Sequence, residues 1–326
     1  MDFRVLSNFK QPLLIPFSVN ADGTKHKKSA VLDSAKTATG VYELTIKRPF
    51  QATPFVFASC GKTGSTRHII QAPIASADKN TVVLETYNLS DSANDAPFEG
   101  FVLGAEGREP YYGVIEQKVC TPMNNARMLF FHYNGATPAM QAGLNQHEGT
   151  FTKQGTGLYT LTLKRPFSLE PYCIVQSFST TRIVEWATKS ATEITFESFN
   201  SSSAAAADSE FLVVLIGQMS KYEELKMAYP LRCPHPFTYL NPFLYDGSAD
   251  DMLLGEGYMT ASKASTTYTF TDRRVAQKAS YGLCLPDGAA VLSGVNTRTG
   301  AGFNVDVEAD AKVQCLEIAM RRGRIW

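Results

Sequence analysis

The side chains able to do chemistry in this chain are scattered singly. Cysteines stand alone at Cys60, Cys120, Cys173, Cys233, Cys284 and Cys315. There is no Cys-x-x-Cys or Cys-x-x-His pair, whereas a structural zinc centre draws four ligands from such close-spaced pairs. Lone thiols of this kind pack as small apolar groups, so buried free cysteines are expected. The histidines His26, His68, His132, His147 and His235 show no HxH, HExxH or HxxxH spacing that would bring two imidazoles to one metal. Gly61-Lys62-Thr63 ends like a phosphate-binding loop, but Val56 stands where that loop needs its first glycine. No Gly-x-Ser-x-Gly elbow presents a serine nucleophile. The expectation is therefore a non-enzymatic chain with no catalytic residue, metal or cofactor. Glu85 and Glu197 resemble a carboxylate pair, yet they lie in separate copies of a repeat and are expected far apart on the surface. Asn88-Leu89-Ser90 and Asn200-Ser201-Ser202 fit the glycosylation pattern, but they read more simply as the starts of exposed loops. Asn88, Ser90, Asn200 and Ser202, together with Arg322 and Trp326 in the basic and apolar C-terminal stretch, are the candidate partner-contact residues.

The elements that must position these residues are repeated. Gly40 to Phe50 (GVYELTIKRPF) matches Gly157 to Phe167 (GLYTLTLKRPF) at eight of eleven positions, and each is followed by a proline, Pro54 and Pro171. The match continues from Glu85-Thr-Tyr-Asn88 to Glu197-Ser-Phe-Asn200, and from Phe101-Val-Leu-Gly104 to Val214-Leu-Ile-Gly217. A diverged third copy places Tyr268, Phe270, Arg273 and Arg274 in register with Tyr159, Leu161, Lys164 and Arg165, with Val275 replacing the proline. Gly23, Gly135 and Gly247, which close related upstream segments, are spaced by 112 residues. The expected architecture is all-β: three tandem related β-sandwich domains at 1–112, 113–225 and 226–326.

Within each unit the period is that of a half-buried strand, with Tyr42, Leu44 and Ile46 alternating with Glu43, Thr45 and Lys47. The Lys-Arg-Pro-Phe step reads as a strand end: two charges in solvent, a proline that cannot donate to the ladder, and a phenylalanine that returns to the core. A basic binding patch at Lys47-Arg48 and Lys164-Arg165 is the functional alternative. Helical periodicity is weak throughout, and Lys221 to Ala228 (KYEELKMA) is the best short candidate, expected as an inter-domain connector.

Composition narrows the function. Lys+Arg and Asp+Glu both number 31 in 326 residues, so there is no net field to attract a nucleic-acid backbone or an anionic membrane. Charged residues make up 19%, which favours association with neighbouring surfaces. The longest apolar run, Phe211 to Ile216, is far too short to span a bilayer as a helix and suits a buried strand. Asp2 stands where a secretory leader carries positive charge, so conventional export is not expected.

The signature G-x-Y-x-L-T-x-K-x-P-F, followed by a proline and a β-rich run, resembles the repeated β-sandwich modules of tailed-phage virion proteins, and more loosely the strand pattern of H-type lectins. The resemblance covers the first two copies, and the third only through Tyr268 to Arg274; no sugar-contact residue can be matched. It implies a virion structural protein assembled in the host cytoplasm, a capsid decoration or cement protein or a tail-associated one. Its partners would be other capsid or tail subunits and itself, with neither nucleic acid nor membrane. The alternative is an attachment module for a glycan or host receptor, which would need an aromatic platform in equivalent loops, for which Tyr87 and Phe199 are the candidates. An enzyme would need a carboxylate or histidine cluster assembled by the fold. Three similar units also allow either a compact pseudo-threefold body or a linear row.

Overall fold

The computed structural model describes residues 3–7, 11–27, 29, 31–73, 78–105, 117–123, 125–140, 145–219, 224–234, 238–254, 259–272, 277–287, 293–298, 302–307 and 312–321. Among them the fold is nearly all β, with one turn of 3-10 helix at Gln146–Glu148 and no α-helix. Each unit is a sandwich of two sheets whose own strands run antiparallel. In the first, an outer sheet runs Leu32–Ala38, Val41–Ile46, Thr81–Asn88, His68–Gln71, and an inner sheet runs Pro12–Val19, Phe98–Ala105, Phe55–Cys60. The second repeats this with outer strands Gly149–Gly155, Leu158–Leu163, Glu193–Asn200, Arg182–Lys189 and inner strands Ala126–Asn134, Glu210–Gln218, Tyr172–Ser177. The third has outer strands Met259–Ala264, Thr267–Asp272, Gly302–Val307, Ser293–Arg298 and inner strands Thr238–Asp246, Lys312–Arg321, Gln277–Asp287.

The two kinds of sheet explain two kinds of sequence. Outer strands such as Val41–Ile46 alternate buried positions with half-buried or exposed ones, because only one face meets a core. Inner strands such as Pro12–Val19 and Phe98–Ala105 are buried along their whole length. One face, with Leu13, Ile15 and Phe17, packs inside the first sandwich, and the other, with Leu14, packs with Phe57, Phe101, Phe130, Ile174 and Leu283 in a central core drawn from all three units. That two-sided burial makes the inner strands read as continuous apolar runs.

The repeated signature has a local reason at each position the two copies share. Gly40 and Gly157 turn the chain at positive φ (67° and 66°), where an added Cβ would lie 2.4 Å from the Thr86 and Ser198 carbonyl oxygens. Lys47, Arg48 and Pro49 are exposed after the strand ends, and Phe50 is buried over Gly104, as Phe167 is over Gly217. Arg165 reaches the Glu148 carboxylate at 3.0 and 2.8 Å and Lys47 reaches Asp33 at 3.1 Å, so these charges brace neighbouring loops.

The units close into a pseudo-threefold body. Leu6–Ser7, which precedes the first unit, adds in parallel to Thr238–Asp246 of the third; Cys120–Met123 adds to Pro12–Val19 of the first; Arg232–Cys233 adds to Ala126–Asn134 of the second. Each connecting segment also pairs antiparallel with the other two, through Phe3–Arg4 with Arg232–Cys233, Leu6–Ser7 with Gln117–Lys118, and Cys120–Met123 with Glu224–Pro230. At the crossing, Val5 N–H donates to Leu231 O (2.9 Å), Leu231 N–H to Val119 O (2.8 Å) and Val119 N–H to Val5 O (2.9 Å), with all three side chains fully buried. This triangle of hydrogen bonds marks the pseudo-threefold axis, and the compact arrangement excludes a row.

Two local expectations are corrected. The segment 221–228 is not a helical connector: Glu224–Pro230 is a strand, paired from Cys120↔Pro230 to Met123↔Glu224, and residues 221–223 lie outside the described residues. A helix of that length is marginal without tertiary support, whereas the strand Cys120–Met123 offers an open row of ladder partners. None of the six cysteines forms a disulfide, and five are buried as expected, but Cys120 is half-exposed.

Candidate functional site

Pseudosymmetry identifies a position where the three units differ in chemistry. The ladders Leu13↔Gly104, Arg127↔Gly217 and Tyr239↔Ala319 align the central inner strands, which puts Glu99, Leu212 and Gln314 at one equivalent place. At the junction of the first and second units, Glu99 Oε2 accepts the Cys173 amide at 2.8 Å. At the junction of the third and first, Gln314 Oε1 accepts the equivalent Val56 amide at 2.9 Å. Leu212 has no acceptor to offer the third unit. One strand further, Ser59 Oγ accepts from Val175 N–H (3.1 Å) and Gln176 Oε1 from Cys284 N–H (3.4 Å), while the third equivalent is Leu285. Side chains thus cap amides on the edge strand of the next unit, and only the junction of the first two units has both caps.

That junction also holds a charge cluster. The fully buried Glu99 pairs with Lys27 Nζ at 3.1 Å and with Lys189 Nζ; Glu170 lies 2.9 Å from Lys189 and 3.6 Å from Lys27. Lys27 also donates to the Pro171 carbonyl at 2.9 Å and sits 4.3 Å from the Tyr172 ring centre, and Lys189 sits 4.0 Å from that of Trp186. Burial alone would raise the Glu99 carboxyl, but the two ammonium groups outweigh it and hold it below its ordinary value. Burial pushes Lys27 down, whereas at Lys189 the Glu99 charge overcomes burial and the ammonium is held above its ordinary value. Burial raises the enclosed Cys173 and Cys60 thiols, so neither is poised as a nucleophile.

A second polar layer lies beside it. Gly61 packs flat on Trp186, where a Cβ would come within 2.2 Å of the ring, and Lys62 N–H donates to Trp186 O at 2.9 Å. Lys62 Nζ meets Glu197 at 2.5 Å, Arg67 stacks 3.5 Å over the Phe199 ring, and the buried His68 amide donates to Glu185 at 2.9 Å. Glu197 is therefore not the free surface carboxylate that was expected, because the fold presses a basic loop of the first unit against it. Phe199 is covered by Arg67 and 5% exposed, and the half-buried Tyr87 donates to Glu85, so the two do not form an open aromatic platform.

The loop residues chosen from sequence border this layer, with Asn88 opposite His68 and Asn200 opposite Arg182 in the outer-sheet ladders. Asn88 Oδ1 accepts the Ser90 and Ser92 amides at 2.9 and 3.1 Å, and Asn200 Oδ1 accepts the Ser202 amide at 3.0 Å, so both asparagines close their own loops. Each loop is anchored at its far end by an aspartate. Asp95 accepts from Gly40 N–H (2.8 Å), Tyr42 and Lys36, and Asp208 accepts from Gly157 N–H (3.0 Å), Tyr159 (2.9 Å) and Lys153 (2.6 Å). Arg322 and Trp326 lie outside the described residues. Among the described residues, no group of three His, Cys, Asp or Glu side chains could hold a metal, and no helix is long and apolar enough to cross a membrane.

Two cavities accompany these junctions. A cavity of about 80 Å³ lies where all three units meet, lined by Ser59, His68, Gln176, Ser177, Cys284 and Leu285 among others. A larger one of about 360 Å³ opens between the first two units beside Lys27 and Glu170, with largely apolar walls. No protein-family model, curated protein or solved structure matches the chain.

Proposed function

We propose that the chain is a non-enzymatic structural protein of a virus particle, a tailed-phage capsid decoration or tail-body protein that binds neighbouring virion subunits after assembly in the host cytoplasm. The observation that carries this reading is the closed pseudo-threefold body sealed by Val5, Val119 and Leu231. A single chain of that symmetry presents three related faces around one axis, the geometry needed to seat on a threefold site of a shell or ring. The ion pairs of Glu99 with Lys27 and Lys189 and of Lys62 with Glu197 support it, because they tie the first two units to each other. The formal charge of zero and the low charged fraction also suit a protein that packs against neighbours.

The test is co-sedimentation of the purified chain with particles assembled without it. Saturable binding at one chain per threefold site is the expected result. A chain that ignores particles at every concentration but binds host cells or a glycan array would overturn the reading in favour of attachment.

A further inference from the structure

Cys284 and Cys315 stand directly opposite one another on neighbouring antiparallel strands of the third unit's inner sheet, and their sulfurs lie 3.2 Å apart. Both are free thiols, buried at 5% and 0% exposure. The sister units show that the fold does not require sulfur here, because the same ladder position holds Ala58↔Gly100 in the first unit and Val175↔Val213 in the second. A disulfide needs Cα atoms about 4.4–6.8 Å apart and a sulfur–sulfur bond of about 2.05 Å. Opposed residues of an antiparallel pair already lie about 4.5–5.5 Å apart at Cα. Closing the bond therefore takes a sulfur approach of roughly 1 Å and no change of register.

The two sulfurs differ in access. Cys315 is on the central strand Lys312–Arg321, whereas Cys284 is on the edge strand Gln277–Asp287 and on the wall of the 80 Å³ cavity where the three units meet. The Cys284 amide is capped by Gln176 at 3.4 Å, the longest of the four side-chain caps at the junctions, so this edge is held less firmly than its sisters. Cys284 is thus the sulfur that a small oxidant meets first.

We propose that Cys284 and Cys315 are a redox-active dithiol that a peroxide closes to a disulfide, pinning the edge strand of the third unit's inner sheet to its central strand. The Cys284 thiolate attacks the peroxide, whose O–O bond breaks; the sulfur is oxidised to a sulfenic acid and the second oxygen leaves as hydroxide. The Cys315 sulfur then attacks the Cys284 sulfur, the S–O bond breaks, and the oxygen leaves as water with the Cys315 proton. Burial and the neighbouring Cys284 sulfur hold the Cys315 thiol well above its ordinary value, so it keeps its proton until the sulfenic acid forms beside it. The link joins positions 31 residues apart and stabilises chiefly by restricting the unfolded chain. It does not rest on the shell reading. On that reading the chain would assemble where thiols are kept reduced and close the link after release into an oxidising medium.

The experiment treats the reduced, folded full chain with hydrogen peroxide, quenches with acid, alkylates the remaining thiols in denaturant and maps peptides by mass spectrometry. The expected product is a Cys284–Cys315 cross-link lighter by two hydrogen atoms, formed ahead of any other cysteine pair. The oxidised chain should unfold a few degrees above the reduced one, and dithiothreitol should reverse the shift. Cys284→Val and Cys315→Val each install the residue of the second unit; both should keep the fold by circular dichroism and lose the link and the thermal shift. Cys284 and Cys315 that both stay alkylatable while the half-exposed Cys120 oxidises overturn the proposal, as does a link that forms only in chain unfolded by urea or one that leaves the unfolding temperature unchanged. Each of these results leaves particle co-sedimentation unaffected, so the two readings fail separately.

Discussion

Val5 donates its amide hydrogen to the carbonyl of Leu231 at 2.9 Å, joining the first described segment of the chain to the last connecting segment and closing the body on itself. Val5→Pro removes that donor and leaves the Leu231 carbonyl buried without its partner. The expected loss is about 1–3 kcal/mol, the penalty of an unsatisfied buried polar group. Urea unfolding followed by fluorescence and far-ultraviolet dichroism measures it. Deleting residues 1–7 should cost more and expose the central core to a hydrophobic dye.

Glu99→Gln keeps an acceptor for the Cys173 amide, as Gln314 does for Val56, but leaves the Lys27 and Lys189 ammonium groups with Glu170 as their one remaining counter-charge in the cluster. Breaking a buried ion pair from one side costs about 3–5 kcal/mol. The pH dependence has a definite sign. Because the Glu99 carboxyl titrates below its ordinary value of 4.5 in the folded chain, its contribution is present above that value and is lost as pH falls through the lower folded one. The wild type should lose stability on acidification below about pH 4.5, and the variant should lose less over the same interval. Equal acid slopes for the two proteins would contradict this account.

Gly104 and Gly217 lie under Phe50 and Phe167, where an added Cβ would approach the ring carbons to 2.3 and 2.6 Å. Gly104→Ala and Gly217→Ala should each destabilise by about 1–3 kcal/mol through overpacking. Combining Gly104→Ala with Phe50→Leu should recover part of the loss, a non-additivity that a double-mutant cycle in urea reads directly.

The junction of the first two units carries both amide caps and the charge cluster, whereas Leu212 and Leu285 leave the other junctions with one cap each. Amide hydrogen exchange should therefore show the Cys173 and Val175 amides better protected than the Cys284 amide, whose bond is longer at 3.4 Å. Equal protection at these amides would mean that the caps do not set local stability.

The duplicated signature was legible because each of its residues acts locally. Gly40 turns the chain, Tyr42 and Leu44 face the sandwich core, and Phe50 returns over Gly104. The inner strands were legible as apolar runs, but their second buried face was not, since a sequence does not say how many layers cover a sheet. Connecting strands such as Leu6–Ser7 and Arg232–Cys233 are too short to show a period, so the closure they make was invisible. The pairing of Glu99 with Lys27 and Lys189 joins residues from two units and leaves no spacing signal. Lys221 to Ala228 misled because its helical pattern ignores the open strand edge that was waiting for it.

The pseudo-threefold triangle also bears on mass action and on divergence. Three separate sandwiches would meet only as fast and as fully as their concentration allowed, and the body would come apart on dilution. Joined in one chain, they meet intramolecularly, and the assembly is indifferent to dilution. A symmetric trimer must repeat each substitution three times around its axis. Covalent continuity lifts that constraint, so one equivalent position can hold Glu99, Leu212 and Gln314, and a single loop can carry Leu169 while its sister keeps Ala52.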